Sequence, residues 1–186
     1  MNKTLEVIKS RRSTRRFKSE QIDNEILEEI IEAGMYAPSA HGAQGWHFTV
    51  IQDPDLLEEL NIEIKESAKS SPIEVVRKMV SNESFNVFYK APTVVLISGE
   101  TSALMPKTGC LLASQNILLA AESLGVAGCW NEFVSNLFIG GNAEKFKAKL
   151  NVPEGYTPYH GIVLGISDKN PSKVNDRKDN KVTYLR

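Results

Sequence analysis

The stretch from Pro106 to Leu124 constrains the fold more than any other. A proline opens it and Gly125 closes it, the usual punctuation of one long helix. Its apolar residues, among them Leu111, Leu112, Ile117, Leu118 and Leu119, cover more than one stripe. A helix that is apolar on several faces is buried on several faces. In a chain of 186 residues, either this helix is the central core of a monomer or a second subunit covers one of its faces. Ser114, Gln115 and Asn116 interrupt the run and need partners inside.

Thr93-Val94-Val95-Leu96-Ile97-Ser98 is a short continuous apolar run, the sign of a strand buried on both sides. Trp46 to Gln52, Val126 to Trp130 and His160 to Ile166 read as further strands. Thr4 to Ser10 reads as a short helix. Asp23 caps a helix that runs to Tyr36, where Pro38 ends it. Asp53-Pro54 opens another, lined by Leu56, Leu57, Leu60 and Ile64. Ser67 to Phe88 is a polar, mixed helical excursion, and Ala143 to Leu150 a brief helix. Helices and strands alternate without a regular βαβ beat, and no GxGxxG follows a strand, which argues against a Rossmann fold. The pattern is α+β in one domain, residues 1–186.

Composition is ordinary for a globular chain, 41% hydrophobic and 24% charged, with a net charge of -1. That balance disfavours a protein that tracks nucleic acid by bulk electrostatics. No stretch is apolar for long enough to span a membrane. The N-terminus is too polar for a secretory signal. Cys110 and Cys129 lack a CxxC pattern and read as two buried free thiols in a reducing cytoplasm. His41, His47 and His160 show no metal-ligand spacing, so no metal site is expected.

Against this balanced background, Arg11-Arg12-Ser13-Thr14-Arg15-Arg16-Phe17 stands out. Guanidinium forks grip phosphate in a bidentate way, and hydroxyls add hydrogen bonds. Some of these arginines could instead cap the helix that ends at Ser10, where the dipole favours cations. A small-residue loop follows at 37–45, then the aromatic strand from Trp46. An anion seat and such a loop suggest a flat, phosphorylated cofactor. No catalytic triad or side-chain nucleophile is evident. His41 is either a pocket-mouth residue or a solvated loop residue, and Trp46 and Trp130 read as core or interface aromatics.

In these motifs the chain resembles the flavin-dependent nitroreductase family. The resemblance rests on the arginine cluster, on Ala37-Pro38-Ser39 with Gln44-Gly45-Trp46-His47-Phe48, and on Ala91-Pro92 before the apolar strand. It continues through Leu124-Gly125-Val126, Gly128-Cys129-Trp130 and the late Val163-Leu164-Gly165 strand. It implies a nitroreductase-like fold with a central, mostly antiparallel sheet flanked by helices. It also implies an intertwined homodimer that holds FMN at its interface, with residues 167–186 as an arm onto the partner. Arg11, Arg12 and Ser13 would hold the FMN phosphate and ribityl chain, and Arg15 would face the pyrimidine ring. Pro38, Ser39 and Ala40 would face the partner's flavin. Asn131 and Glu132 would offer backbone N–H groups near flavin N5 and O4, and Arg177 would return to the phosphate. A pyrimidine contact from before Ala91 could fall to Asn82, Asn86 or Lys90. The implied activity is NAD(P)H oxidation through FMN, in a ping-pong cycle, with nitroaromatic or quinone acceptors. Relatives often carry Asn at the position of Gly42 and Pro at that of Gly45, so this loop is looser. Two rivals stay open on sequence: a flavin-handling or redox-sensing FMN protein without such turnover, and an anionic-partner site without flavin.

Overall fold

The computed structural model describes residues 2–139, 141–169 and 176–186. Four strands form one antiparallel sheet: β1 (Trp46–Ile51), β2 (Thr93–Glu100), β3 (Ala127–Asn131) and β4 (Tyr156–Gly165). Their spatial order is β1-β2-β4-β3. The apolar run of β2 lies at the centre, and Thr93 to Gly99 are all buried, as its composition requires. The last strand starts earlier than its sequence suggests, because Pro158 sits inside it. The ladder absorbs the proline at a register shift between Ile97 and Ser98, where a missing N–H is tolerated.

Helices cover both faces of the sheet. On one face α3 (Pro54–Ala68) packs Leu60 and Ile64 into a core with Val94, Leu96, Phe88 and Val163. On the other, α2 (Asn24–Met35) and α5 (Pro106–Ser123) bury Ile30 and Ile117 against Val95, Ile97 and Ile162. Asp23 and Asp53 cap α2 and α3 through their carboxylates, as their positions dictate. Gly34 lets these two layers close: a Cβ there would stand 2.7 Å from Ile117 Cγ1.

The excursion after α3 contains α4 (Glu74–Val80), and α6 (Ala143–Lys149) precedes β4. The long helix α5 divides its residues between two environments. Cys110, Ala113, Ile117, Leu118 and Ala121 are buried in this chain, whereas Leu111 and Leu112 remain 42% and 41% exposed. Nearby, α1 (Lys3–Ser10) leaves Leu5 and Ile8 exposed, and α2 ends in exposed Met35 and Tyr36. The interrupting residues behave differently from one another: Ser114 is buried against His160, Asn116 Nδ2 donates to Ala33 O, and Gln115 is exposed.

Candidate functional site

The N-terminal arginines are brought to the free edge of β3. Thr14 N–H donates to Gly128 O at 3.0 Å, and Ser13 bridges Gly128 as a short parallel partner. Phe17 then bridges Ser167 just beyond β4. Extended backbone between α1 and α2 thus runs alongside the sheet and carries its side chains past β3.

Three of the expected anion residues gather around one sulfur. Arg15, Ser13 and Arg11 all act on the Cys129 thiol, favouring its charged form, but burial outweighs them and pushes the thiol up from its ordinary value. Arg15 is itself shifted up, first by the Cys129 sulfur and then by Tyr89, against desolvation. Because burial keeps that thiol neutral near neutral pH, the sulfur does not neutralise Arg15 there. No carboxylate pairs with Arg11 or Arg15 among the described residues. Positive charge is therefore concentrated here without an internal counter-ion, which suits an anionic ligand.

Arg12 takes the capping role instead. Its Nη1 donates to Lys9 O at 2.8 Å and to Arg11 O at 2.6 Å, folding the side chain back over the end of α1.

Asn131 ends β3 and is buried. Its Nδ2 donates to Val87 O at 2.7 Å, while its buried Oδ1 finds no partner. Such an orphaned acceptor marks a place where a bound group or water is expected. Glu132 follows at the strand end, before the short turn Phe133–Phe138. Burial raises its carboxyl above the usual range and Lys107 opposes the shift.

Pro38, Ser39 and Ala40 lie elsewhere in the chain, near the start of α5. Ser39 Oγ accepts from Gln44 N–H at 2.9 Å, and a Cβ at Gly109 would meet Trp46 and Ser39 at ordinary contact distances. His41 is exposed in this turn at φ 53°, followed by Gly42 at φ 66°. Arg177 is exposed, and the segment leading to it, 170–175, lies outside the described residues, as does that part of the expected arm over 167–186.

Sequence reasoning missed Tyr89. Its ring centroid stands 5.7 Å from the Arg15 guanidinium carbon. Of the pyrimidine-side candidates, Asn86 Oδ1 accepts from the N–H groups of Phe88 and Lys90, and so shapes this turn. Asn82 Oδ1 accepts from Ser84 and is exposed. Cys110 and Cys129 are buried free thiols, as expected. No helix among the described residues is long and apolar enough to cross a membrane.

Residues 8–166 match the family described as "Nitroreductase family". An NADPH-flavin oxidoreductase of Vibrio harveyi is 31% identical over 182 residues, covering 92% of this chain and 68% of that protein. A crystal structure of a nitroreductase with bound FMN from Bacteroides fragilis superposes with a TM-score of 0.92 at 34% identity, over 100% of both chains. Another, a nitroreductase with bound FMN from Desulfitobacterium hafniense, gives 0.90 at 31% identity, again over 100% of both.

Proposed function

The chain belongs to the nitroreductase family, and on that premise we propose that it is an FMN-dependent oxidoreductase fed by NADH or NADPH. The observation that carries this reading is the set of uncompensated cations Arg11 and Arg15, gathered with Ser13 on the edge of β3. The chemistry that FMN supplies when bound is transfer of a hydride from the nicotinamide, then of electrons to a nitroaromatic, quinone or similar acceptor, the half-reactions alternating as a ping-pong cycle.

The protein's own residues bind and orient. Arg11 and Ser13 hold the phosphate and ribityl chain, and Arg12 supports them with the donors that its helix cap leaves free. Arg177 reaches the same phosphate from the C-terminal arm. Arg15 sets a fixed cation at the pyrimidine edge, where reduction deposits negative charge. The backbone N–H groups of Asn131 and Glu132 fix the N5 and O4 edge. No side-chain acid or nucleophile is assigned, because stacking two flat partners in contact supplies much of the rate.

The active unit in this reading is a homodimer. Leu111 and Leu112 of α5, and Leu5 and Ile8 of α1, are large apolar side chains left exposed. Burying one such side chain gains about 1.5–3 kcal/mol, so a second copy of this chain is the natural cover. Pro38, Ser39 and Ala40 then face the partner's flavin. Two buried free thiols suit a reducing, cytoplasmic setting.

The test is direct. The purified protein should be yellow, should bleach anaerobically with NADH or NADPH, and should recover colour with menadione or nitrofurazone. Retained FMN that neither NADH nor NADPH bleaches would favour a flavin-handling role. A chain that takes up no FMN would end the reading.

A further inference from the structure

Tyr89 and Lys90 both adopt positive φ, at 57° and 58°. They are the one pair of consecutive side-chain-bearing residues to do so among the described residues. Neither residue type holds that conformation unsupported. Strain of this kind persists only where its surroundings over-determine it, and it concentrates at functional sites.

The surroundings here are three asparagines. Asn86 Oδ1 accepts from Phe88 N–H at 2.9 Å and Lys90 N–H at 3.1 Å, while Asn86 O accepts from Tyr89 N–H at 2.9 Å. Asn61 Oδ1, on α3, accepts from Val87 N–H at 2.9 Å. Asn131 Nδ2, on β3, donates to Val87 O at 2.7 Å. Every link runs to turn backbone, so the turn is locked to the helix on one side and to the strand edge on the other.

What the lock holds in place is an aromatic ring. Tyr89 packs edge-on against Phe85, whose ring lies 5.5 Å from that of Phe133. Its ring also lies beside the Arg15 guanidinium. Arg15 is exposed and has no carboxylate to fix its direction. Unrestrained, so long a side chain spreads over many rotamers.

We propose that Tyr89 is a positioning residue: the asparagine-locked turn presses its ring against Arg15, keeps the guanidinium aimed at the pyrimidine edge of FMN, and so sets the reduction potential. The inference rests on Arg15 facing that edge. It is separable from it, because Tyr89 acts only through Arg15.

The test measures the midpoint potential of the FMN-loaded protein by spectroelectrochemistry. Tyr89→Leu should weaken reduced FMN relative to oxidised FMN roughly two- to fivefold, in the range of an exposed cation–ring contact, which lowers a two-electron potential by about 10–20 mV. Tyr89→Phe keeps the ring and loses only the hydroxyl that also acts on Arg15, so its potential should fall by less than that of Tyr89→Leu. In an Arg15→Gln background, Tyr89→Leu should add nothing. The proposal is overturned if Tyr89→Leu leaves the potential unchanged while Arg15→Gln lowers it. It is equally overturned if the Leu effect survives intact without Arg15, or if Tyr89→Phe shifts as far as Tyr89→Leu. Should Tyr89→Leu fail to fold, Asn86→Ala loosens the same turn and must lower the potential in its place; an unchanged value sinks the idea. An Arg15→Gln protein with wild-type potential would instead refute the placement of Arg15, and this inference with it.

Discussion

The His160 imidazole meets the Ser114 hydroxyl at 2.5 Å, between β4 and α5. Ser114 Oγ donates its proton to Cys110 O at 2.8 Å, so it accepts from His160 Nε2–H. That assignment leaves Nδ1 as a bare lone pair, and it has no partner in the fully buried interior. The Trp130 ring lies 5.7 Å away, tilted over the imidazole. Burial, helped by Lys107, pushes this histidine down from 6.5 to about 4.

A pH dependence of stability follows. Between pH 6.5 and about 4 the unfolded chain binds a proton at this site and the folded chain does not, so stability rises with pH across that window. The contribution is complete above 6.5 and is lost on acidification through about 4. Its size is about 3 kcal/mol, since each tenfold loss of proton affinity on folding is worth about 1.4 kcal/mol. Urea midpoints measured across this range should fall as the pH is lowered, and His160→Gln should flatten the slope. A variant as steep as the wild type would assign the effect elsewhere.

Arg11→Ala should weaken FMN binding by roughly 10- to 100-fold, the loss of one charge-assisted partner worth about 1.5–3 kcal/mol. Arg12→Ala should cost less, because its Nη1 serves the end of α1. Flavin fluorescence titration measures both. Equal losses would remove the distinction drawn between the two arginines.

Leu112→Glu should put a charge on the exposed apolar face of α5. If the proposed homodimer forms through this face, sedimentation should show it giving way to monomer, and FMN occupancy should fall in parallel if Pro38, Ser39 and Ala40 serve the opposite subunit as proposed. A monomeric variant with full occupancy would place the whole binding site in one chain.

Gly34→Ala tests the α2–α5 contact. The new Cβ would crowd Ile117 Cγ1 at 2.7 Å and Phe48 Cζ at 3.2 Å. Overpacking costs about 1–3 kcal/mol, against which better helix propensity returns up to about 1 kcal/mol. Denaturant titration should show a net loss. A stabilised variant would mean that Ile117 has room to rotate away.

Much of this arrangement is legible along the chain because its causes are local. Asp23 and Asp53 announce their helices by capping chemistry, and the run from Val94 to Ile97 announces a central strand by having no polar face. The arginine cluster is visible as excess charge, and the structure adds where it lies. The turn before Ala91 is not legible. Asn86 bonds the two positive-φ residues from within the turn, but the turn is anchored through Val87 by Asn61 and Asn131, which stand far from it in sequence and mark nothing as asparagines in a helix and a strand. Tyr89 therefore looks like one more aromatic of the excursion. The division of labour within the cluster is equally hidden, since Arg11 and Arg12 differ only in which way each leaves the last turn of α1. Pro158 conceals where β4 begins, because a proline signals a break unless a bulge receives it.

The bridges from Ser13 to Gly128 and from Phe17 to Ser167 tie the segment after α1 to β3 and to the end of β4, strands made much later. During synthesis the arginines emerge first and must wait, solvated, until β3 and β4 have left the ribosome. Until both strands are made this edge does not exist, so on the proposed reading flavin uptake should not precede the synthesis of β4.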